Sequence, residues 1–391
     1  MKIVHIITRL ILGGAQENTL LSCEGQHARG HEVTLITGPA VGPEGSLMQR
    51  AGSHGYNVVV LNEMGRAIHP LRDWNTYRSL IALLREMKPD VVHTHSSKAG
   101  IIGRWAAHRA GVPLIVHTIH GLAFTASTSK LVNGFYMMLE RKTAPITDRI
   151  VCVADAMRDQ SLTANIGRSD RYVTIYSGMD IDAYWNPPVP RELVREGYEL
   201  APDDVVIGTI ARMFYLKGHD DLLEIAPALC QAHPNVKFLW VGDGLLRPQF
   251  EMQIARLGLQ DRFVLTGLVS PEKIPQLTAA MDVLVHPSRR EGLARALPQA
   301  ALAGKPVVTY DIDGNREAMI EGQTGFAVPA FDRAMLAQKL KVLLDDPTRR
   351  QQMGARGREF ALSRFDVRVM IDRLEQVYQH GNISGDRTAS G

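Results

Sequence analysis

One stretch of the second half, His286 to Glu317 (HPSRREGLARALPQAALAGKPVVTYDIDGNRE), concentrates residues able to do chemistry. It follows an apolar run, Met281–Val285, that reads as a buried strand, and it sets Glu291 and Gly292 in a turn. A small-residue helix opens next. Proline is tolerated in the first turn of a helix, so Pro298 places the helix start around Ala294–Leu297. The amides of Gly292, Leu293 and Ala294 would then sit at a positive helix end, where an anion is favoured, phosphate above all. A second apolar run, Pro306–Tyr310, follows.

Other strand ends carry matching chemistry. Arg212, then Lys217-Gly218, follow the apolar run Val205–Ala211, and a guanidinium beside an ammonium suits a pyrophosphate. Val-Gly242-Asp-Gly244 closes the next strand in a tight turn. Near the start, Gly13-Gly14 follow the first strand and open a helix. They lack the third glycine of G-x-G-x-x-G, which argues against a nicotinamide site. Paired glycines still let a backbone approach a sugar or phosphate. His93, His95, His117 and His120 suggest a metal only weakly, because no carboxylate lies near them in sequence. His120, before Gly121, is the better polar cleft residue, whereas His93 and His117 read as parts of strands.

These groups need a scaffold, and the elements supply one. With 391 residues, 45% hydrophobic and 22% charged, the chain suits two soluble domains. A net charge of +3 gives no argument for nucleic acid. Cys23, Cys152 and Cys230 are scattered as core thiols of a reducing compartment. No export signal and no membrane span is legible, so a cytoplasmic protein is expected, with peripheral attachment to the inner membrane face left open. Apolar strands alternate with helical patterns at Ala15–Gln26, Asn75–Met87, Gly100–Ala110 and Leu131–Thr143, which predicts α/β architecture with parallel, doubly wound sheets. The segment Asp182–Asp204, with Pro187, Pro188, Pro190 and Pro202, breaks the pattern. The expected division is an acceptor-side Rossmann-like domain over 1–185 and a donor-binding domain over 186–365. The two would face a cleft, a helix over 366–380 would cross back, and 381–391 would form a disordered tail.

Taken together, Gly-Gly-Ala-Gln16, Ile-Ala-Arg212 with Lys217-Gly218, Val-Gly-Asp-Gly244, Pro-Ser-x-x-Glu291-Gly292 and Ala-Gly-Lys-Pro306 resemble the retaining nucleotide-sugar glycosyltransferases of family four, which have the GT-B fold. The segment HSSKAGIIGRWAAHRAGVPLIVHTIHG resembles the branch that builds capsular and extracellular polysaccharides. The resemblance implies that Arg212 and Lys217 hold the donor pyrophosphate and that Glu291 meets the donor sugar. It also implies that the Gly292 and Leu293 amides, with the Gly242 turn, contact phosphate or sugar. His120 would line the reaction centre, and Gly13 and Gly14 would approach the diphosphate. The donor would be a UDP-linked sugar, the acceptor a glycan or lipid-linked saccharide, and no metal or other cofactor would be needed. With no enzymic nucleophile evident, a front-face route with retention is expected.

One departure stands out. Gln299 occupies the position of the family's second Glu, which binds ribose, and an amide lacks the charge-assisted strength of a carboxylate. A non-catalytic nucleotide-sugar-binding protein would fit that departure. The other alternative, a nucleotide-sugar epimerase of the same fold, would share the phosphate chemistry but need cleft carboxylates for proton removal, where the first-domain loops carry histidine and serine. The segment Lys130–Lys142 combines Phe135, Tyr136, Met137, Met138 and Leu139 with flanking cations. It reads either as a core helix with a charged end or as a helix lying on an anionic membrane.

Overall fold

The computed structural model describes residues 1–42, 45–124 and 129–381. It divides into two compact units, Met1–Gly178 with Val367–Gly391, and Met179–Asp366. The expected tail lies almost wholly outside the described residues. The boundary falls ahead of the proline-rich segment, because Met179 already belongs to the second unit, donating its N–H to the Phe365 carbonyl at 2.7 Å. Ile181–Trp185 and Arg191–Gly197, within and beside that segment, are short helices.

The first unit contains the strands β1 (Lys2–Arg9), β2 (Glu32–Gly38), β3 (Asn57–Val60), β4 (Val91–His95), β5 (Leu114–Ile119), β6 (Arg149–Cys152) and β7 (Tyr172–Thr174). They form one sheet in the order β3-β2-β1-β4-β5-β6-β7. The second unit contains β8 (Val205–Ile210), β9 (Val236–Val241), β10 (Phe263–Leu265), β11 (Val283–His286), β12 (Val307–Tyr310) and β13 (Gly325–Val328), in the order β10-β9-β8-β11-β12-β13. Every pairing between these strands is parallel. Both faces of such sheets must be covered, which is why the strands are mostly apolar and helices separate them. Each order reverses once, between β1 and β4 and between β8 and β11. Ligands of open α/β sheets bind at such switch points, beyond the carboxyl ends of the strands.

Three helices differ from the sequence reading. Pro70–Met87 begins before Asn75, because Pro70 takes the first helical position and the His69 side chain accepts from the Arg72 N–H. Ser97–Ala110 begins one residue after β4, with only Ser96, at φ +61°, between them, so Ser97, Lys98 and Ala99 are helical. The helix Lys130–Thr143 is no core helix. Of its residues only Thr143 is buried, while Leu131, Val132, Phe135 and Met138 are exposed.

In the second unit a half-buried carboxylate ties the start of β11 to its surroundings. Asp282 accepts from Arg191 and Arg195 at 2.7 Å each and from the Val206 N–H at 2.8 Å. Burial alone would raise its carboxyl, but Arg191, the Val206 amide and Arg195 outweigh that and hold it below the ordinary carboxylate value. Its stabilisation is therefore intact above pH ~4 and is lost as pH falls through the lower folded value. Replacing Asp282 by Asn should leave two guanidinium groups poorly compensated and lower stability by about 3 kcal/mol at neutral pH, measured by urea unfolding. The deficit relative to wild type should shrink below pH ~4.

Candidate active site

Two loops of the second unit meet at the switch point between β8 and β11. The loop after β8 contains Arg212 and the turn Tyr215–Lys217, and the loop after β11 contains Glu291. Backbone contacts lock them together. Arg289 donates its N–H to the Leu216 carbonyl at 2.8 Å, and the Ser288 hydroxyl reaches the same oxygen at 3.1 Å. Gly218 makes the approach feasible. It sits at φ +71°, and a Cβ there would fall 2.0 Å from the Pro287 carbonyl oxygen.

This packing brings Lys217 and Glu291 into an ion pair through Glu291 Oε1. His286, the last residue of β11, places Nε2 2.8 Å from the same oxygen. The Glu291 side chain is only 14% exposed. Burial pushes its carboxyl up, but Lys217 and His286 prevail and hold it well below the usual carboxylate range, so Glu291 is an anion at any physiological pH. Both contacts use Oε1, and Oε2 makes no hydrogen bond among the described residues.

Asp313 and Asn315 shape the next turn. The Asp313 carboxylate accepts the Glu291 N–H at 2.8 Å, and Asn315 Oδ1 accepts the Ala294 N–H at 3.3 Å. The expected trio of amides is therefore reduced. Ala294 is occupied within the protein, whereas the Gly292 and Leu293 N–H groups make no hydrogen bond among the described residues. The helix that follows, Ala296–Leu302, is short, and Gln299 is buried within it. Arg212 is exposed beyond β8, its guanidinium 5.1 Å from the Phe214 ring centroid. Gly242, at φ +139°, follows β9, and a Cβ there would lie 2.3 Å from the Ala211 carbonyl, in the loop that carries Arg212. Lys217 and Glu291 are thus joined directly, while Arg212 and Gly242 share the rim through backbone packing.

A further clamp steadies this rim. Arg289 donates to Asp220 at 2.6 Å and Asp221 at 2.8 Å, and Asp221 also receives Arg333 at 2.6 Å and the Tyr310 hydroxyl at 3.0 Å. Sequence reading missed His286, Asp313 and Asn315 as site residues. His286 lies five residues before Glu291, a spacing that polar loop residues share generally. Asp313 is 22 residues from Glu291 and Asn315 is 21 from Ala294, and nothing local marks either.

In the first unit, Gly13 ends the loop after β1 and Gly14 begins the helix Gly14–Ala28. Gly13 is extended, at φ 178°, a conformation open to any residue. A Cβ on it would meet only the mobile end of Gln16, so no steric demand for glycine is visible there. His120 lies after β5, its Nε2 3.1 Å from His95 Nδ1. His93 and His95 lie on β4 and His117 on β5, all buried. His5, His93 and His95 cluster, with a ring nitrogen of each within 4.8 Å of the others.

Comparison with known proteins gives the family and the fold. Residues 13–178 match the glycosyl transferase 4-like domain, and residues 190–360 match the glycosyl transferases group 1. A 2-deoxystreptamine glucosyltransferase of Streptomyces kanamyceticus is 30% identical over 301 residues, covering 73% of this chain and 76% of that protein. An Escherichia coli protein, UDP-Gal:alpha-D-GlcNAc-diphosphoundecaprenol alpha-1,3-galactosyltransferase, is 27% identical over 381 residues, 97% of this chain and 96% of its own length. Among solved structures, Anabaena HepE in complex with UDP-glucose superposes with a TM-score of 0.83 at 24% identity, covering 97% of this chain and 99% of that one. With two matching domain models in tandem and a relative of this similarity, the chain belongs to the group 1 glycosyl transferases, the retaining enzymes of family four with the GT-B fold.

Proposed function

We propose that this glycosyltransferase moves a hexosyl group from a UDP-sugar to a lipid-linked saccharide, with retention, during assembly of a cell-surface polysaccharide. The observation that carries the reading is the Lys217–Glu291 pair at the β8/β11 switch point. An ammonium has three N–H donors, so Lys217 can keep Glu291 and still offer hydrogen bonds to phosphate oxygens. With Arg212 it would offset the charge that grows on UDP as the glycosidic bond breaks. Glu291 Oε2, together with the Gly292 and Leu293 amides, would orient the donor sugar and its phosphate. Gly13, Gly14 and Gly242 would contribute backbone contact, and His120 would hydrogen-bond a substrate hydroxyl. Gln299 would accept one ribose hydrogen bond through its amide oxygen, more weakly than a carboxylate would. The departing phosphate would take the acceptor's proton on the same face, so neither an enzymic nucleophile nor a divalent ion is required.

The choice of donor and acceptor rests on the named relatives, one a UDP-galactose enzyme acting on a diphosphoundecaprenol, another a Staphylococcus aureus capsular polysaccharide glycosyltransferase. An exposed apolar stripe supports a lipid-linked acceptor. Leu131, Phe135 and Met138 recur at helical spacing on Lys130–Thr143, with Lys130, Arg141 and Lys142 beside them. No helix among the described residues is long and apolar enough to cross a membrane. The helix would instead rest on an anionic surface.

Calorimetry should show UDP binding more tightly than GDP or ADP, with Lys217→Ala and Arg212→Ala each weakening UDP by tenfold or more, about 1.4 kcal/mol. Unaltered UDP affinity in both variants would overturn the donor site. Glu291→Gln should reduce kcat by roughly a hundredfold, and wild-type transfer should persist in EDTA. UDP binding without any transfer would mark a binding protein that has given up the chemistry. Sedimentation with phosphatidylglycerol vesicles should retain the wild-type protein, and Leu131→Ser with Phe135→Ser should release it, since each buried side chain contributes ~2 kcal/mol.

A further inference from the structure

The buried histidines of the first unit have no part in the transfer chemistry described above. Residues alternate faces along a strand, so His93 and His95 of β4 point to the same side of the sheet, where they meet His5 of β1. All three are wholly buried. Their nearest nitrogens are too close together for shared metal ligation. His5 Nδ1 and His95 Nε2 lie 2.9 Å apart, whereas two ligands of a tetrahedral zinc at ~2.1 Å would be ~3.4 Å apart.

Each ring is instead committed to hydrogen bonds, in two lines that leave Gln26. In the first, Gln26 Oε1 lies 2.8 Å from His5 Nε2, His5 Nδ1 lies 2.9 Å from His95 Nε2, and His95 Nδ1 lies 3.1 Å from His120 Nε2. In the second, Gln26 Nε2 lies 3.1 Å from the Tyr378 hydroxyl, that hydroxyl lies 2.6 Å from His93 Nδ1, and His93 Nε2 lies 2.6 Å from the Thr118 hydroxyl. Gln26 comes from the helix Gly14–Ala28 and Tyr378 from Val367–His380.

An amide oxygen only accepts and an amide nitrogen only donates, while a neutral imidazole carries one proton. The direction of every bond follows. His5 donates from Nε2 to Gln26, so its Nδ1 accepts from His95 Nε2, and His95 Nδ1 accepts from His120 Nε2. On the other branch Gln26 donates to Tyr378, Tyr378 donates to His93 Nδ1, and His93 donates to Thr118. Rotating the Gln26 amide by half a turn reverses both lines together. A mixed arrangement would set N–H against N–H, or lone pair against lone pair, in a buried site. Burial lowers His5 to about 4 and pushes His93 and His95 well below the ordinary imidazole value, which keeps the rings neutral as the lines require.

We propose that Gln26, held between His5 and Tyr378, ties the tautomer of His120 to those of His5 and His95; in the amide orientation described, the His120 proton stays on Nε2 and Nδ1 is its accepting atom. Gln26, His5, His95 and Tyr378 are thus positioning residues. The effect on catalysis rests on the reading that His120 bonds a substrate hydroxyl, because a fixed tautomer fixes which partner atom that hydroxyl presents.

Ring ¹H–¹⁵N correlation spectra of the full chain labelled in histidine test this directly. His5, His93, His95 and His120 should all carry the proton on the same ring position, Nε2 in the Gln26 orientation described. In Tyr378→Phe, and separately in Gln26→Leu, His120 should become a mixture of tautomers, and kcat should fall about tenfold with the donor KM unchanged. Discordant tautomers among His5, His95 and His120 in the wild type would overturn the proposal, and this arm needs no variant to fold. A folded Tyr378→Phe protein with an unaltered His120 tautomer would overturn it too. So would ring signals that shift with zinc and return with EDTA, which would assign the cluster to a metal. A tautomer shift with no change in kcat would uphold the line of hydrogen bonds and refute the role of His120 at the substrate.

Discussion

Glu291 is a carboxylate held nearly out of water, and the second unit is arranged around keeping it charged. A buried anion without partners would take up a proton or destabilise the fold, so Lys217 and His286 must both reach it. Neither can do so unless the loops after β8 and β11 touch. The contact of Arg289 and Ser288 with the Leu216 carbonyl, and the absence of a side chain at Gly218, follow from that requirement. The Asp221 cluster extends the same logic one layer outward, where Arg289 is fixed between two aspartates while its neighbours form the rim of the site. The charge of the site and the shape of its loops are therefore one feature.

The first unit solves a related problem with neutral groups. Its parallel sheet buries both faces, yet β1 and β4 place three histidines in the interior. They are tolerated because Gln26, Tyr378 and Thr118 complete their hydrogen bonds. Tyr378 comes from the last helix, so the return of the chain to this unit does more than cover apolar surface, of which Ile371, Leu374 and Val377 are part. It also satisfies a polar interior that the first 178 residues alone would leave incomplete.

The strands were the most legible part of the sequence. Short runs such as Val236–Val241 and Val307–Tyr310 are apolar on both faces apart from Lys237 and Thr309, as strands covered on both sides must be, so even their ends were readable. Helix starts were less legible, because caps are local chemistry that composition hides. His69 served as an N-cap, and Ser96 compressed a strand-to-helix connection into one residue. The helix Lys130–Thr143 was ambiguous for a different reason. Its apolar spacing is compatible with either a core or a membrane, and burial is a property of its surroundings.

Residue types and order determined the family, the two parallel sheets and the loops that bear Arg212, Lys217 and Glu291. Those signals are local, being strand endings, glycines and prolines within a few residues of one another. Tertiary structure alone decided which of these groups touch. Lys217 meets Glu291 across 74 residues of chain, and Gln26 meets Tyr378 across 352. It also decided that Ala294 spends its amide on Asn315 and that His286 shares the carboxylate. Hydrogen-bond direction, desolvation and charge pairing depend on distances of a few ångströms between distant segments. Packing sets those distances, and no spacing along the chain encodes them.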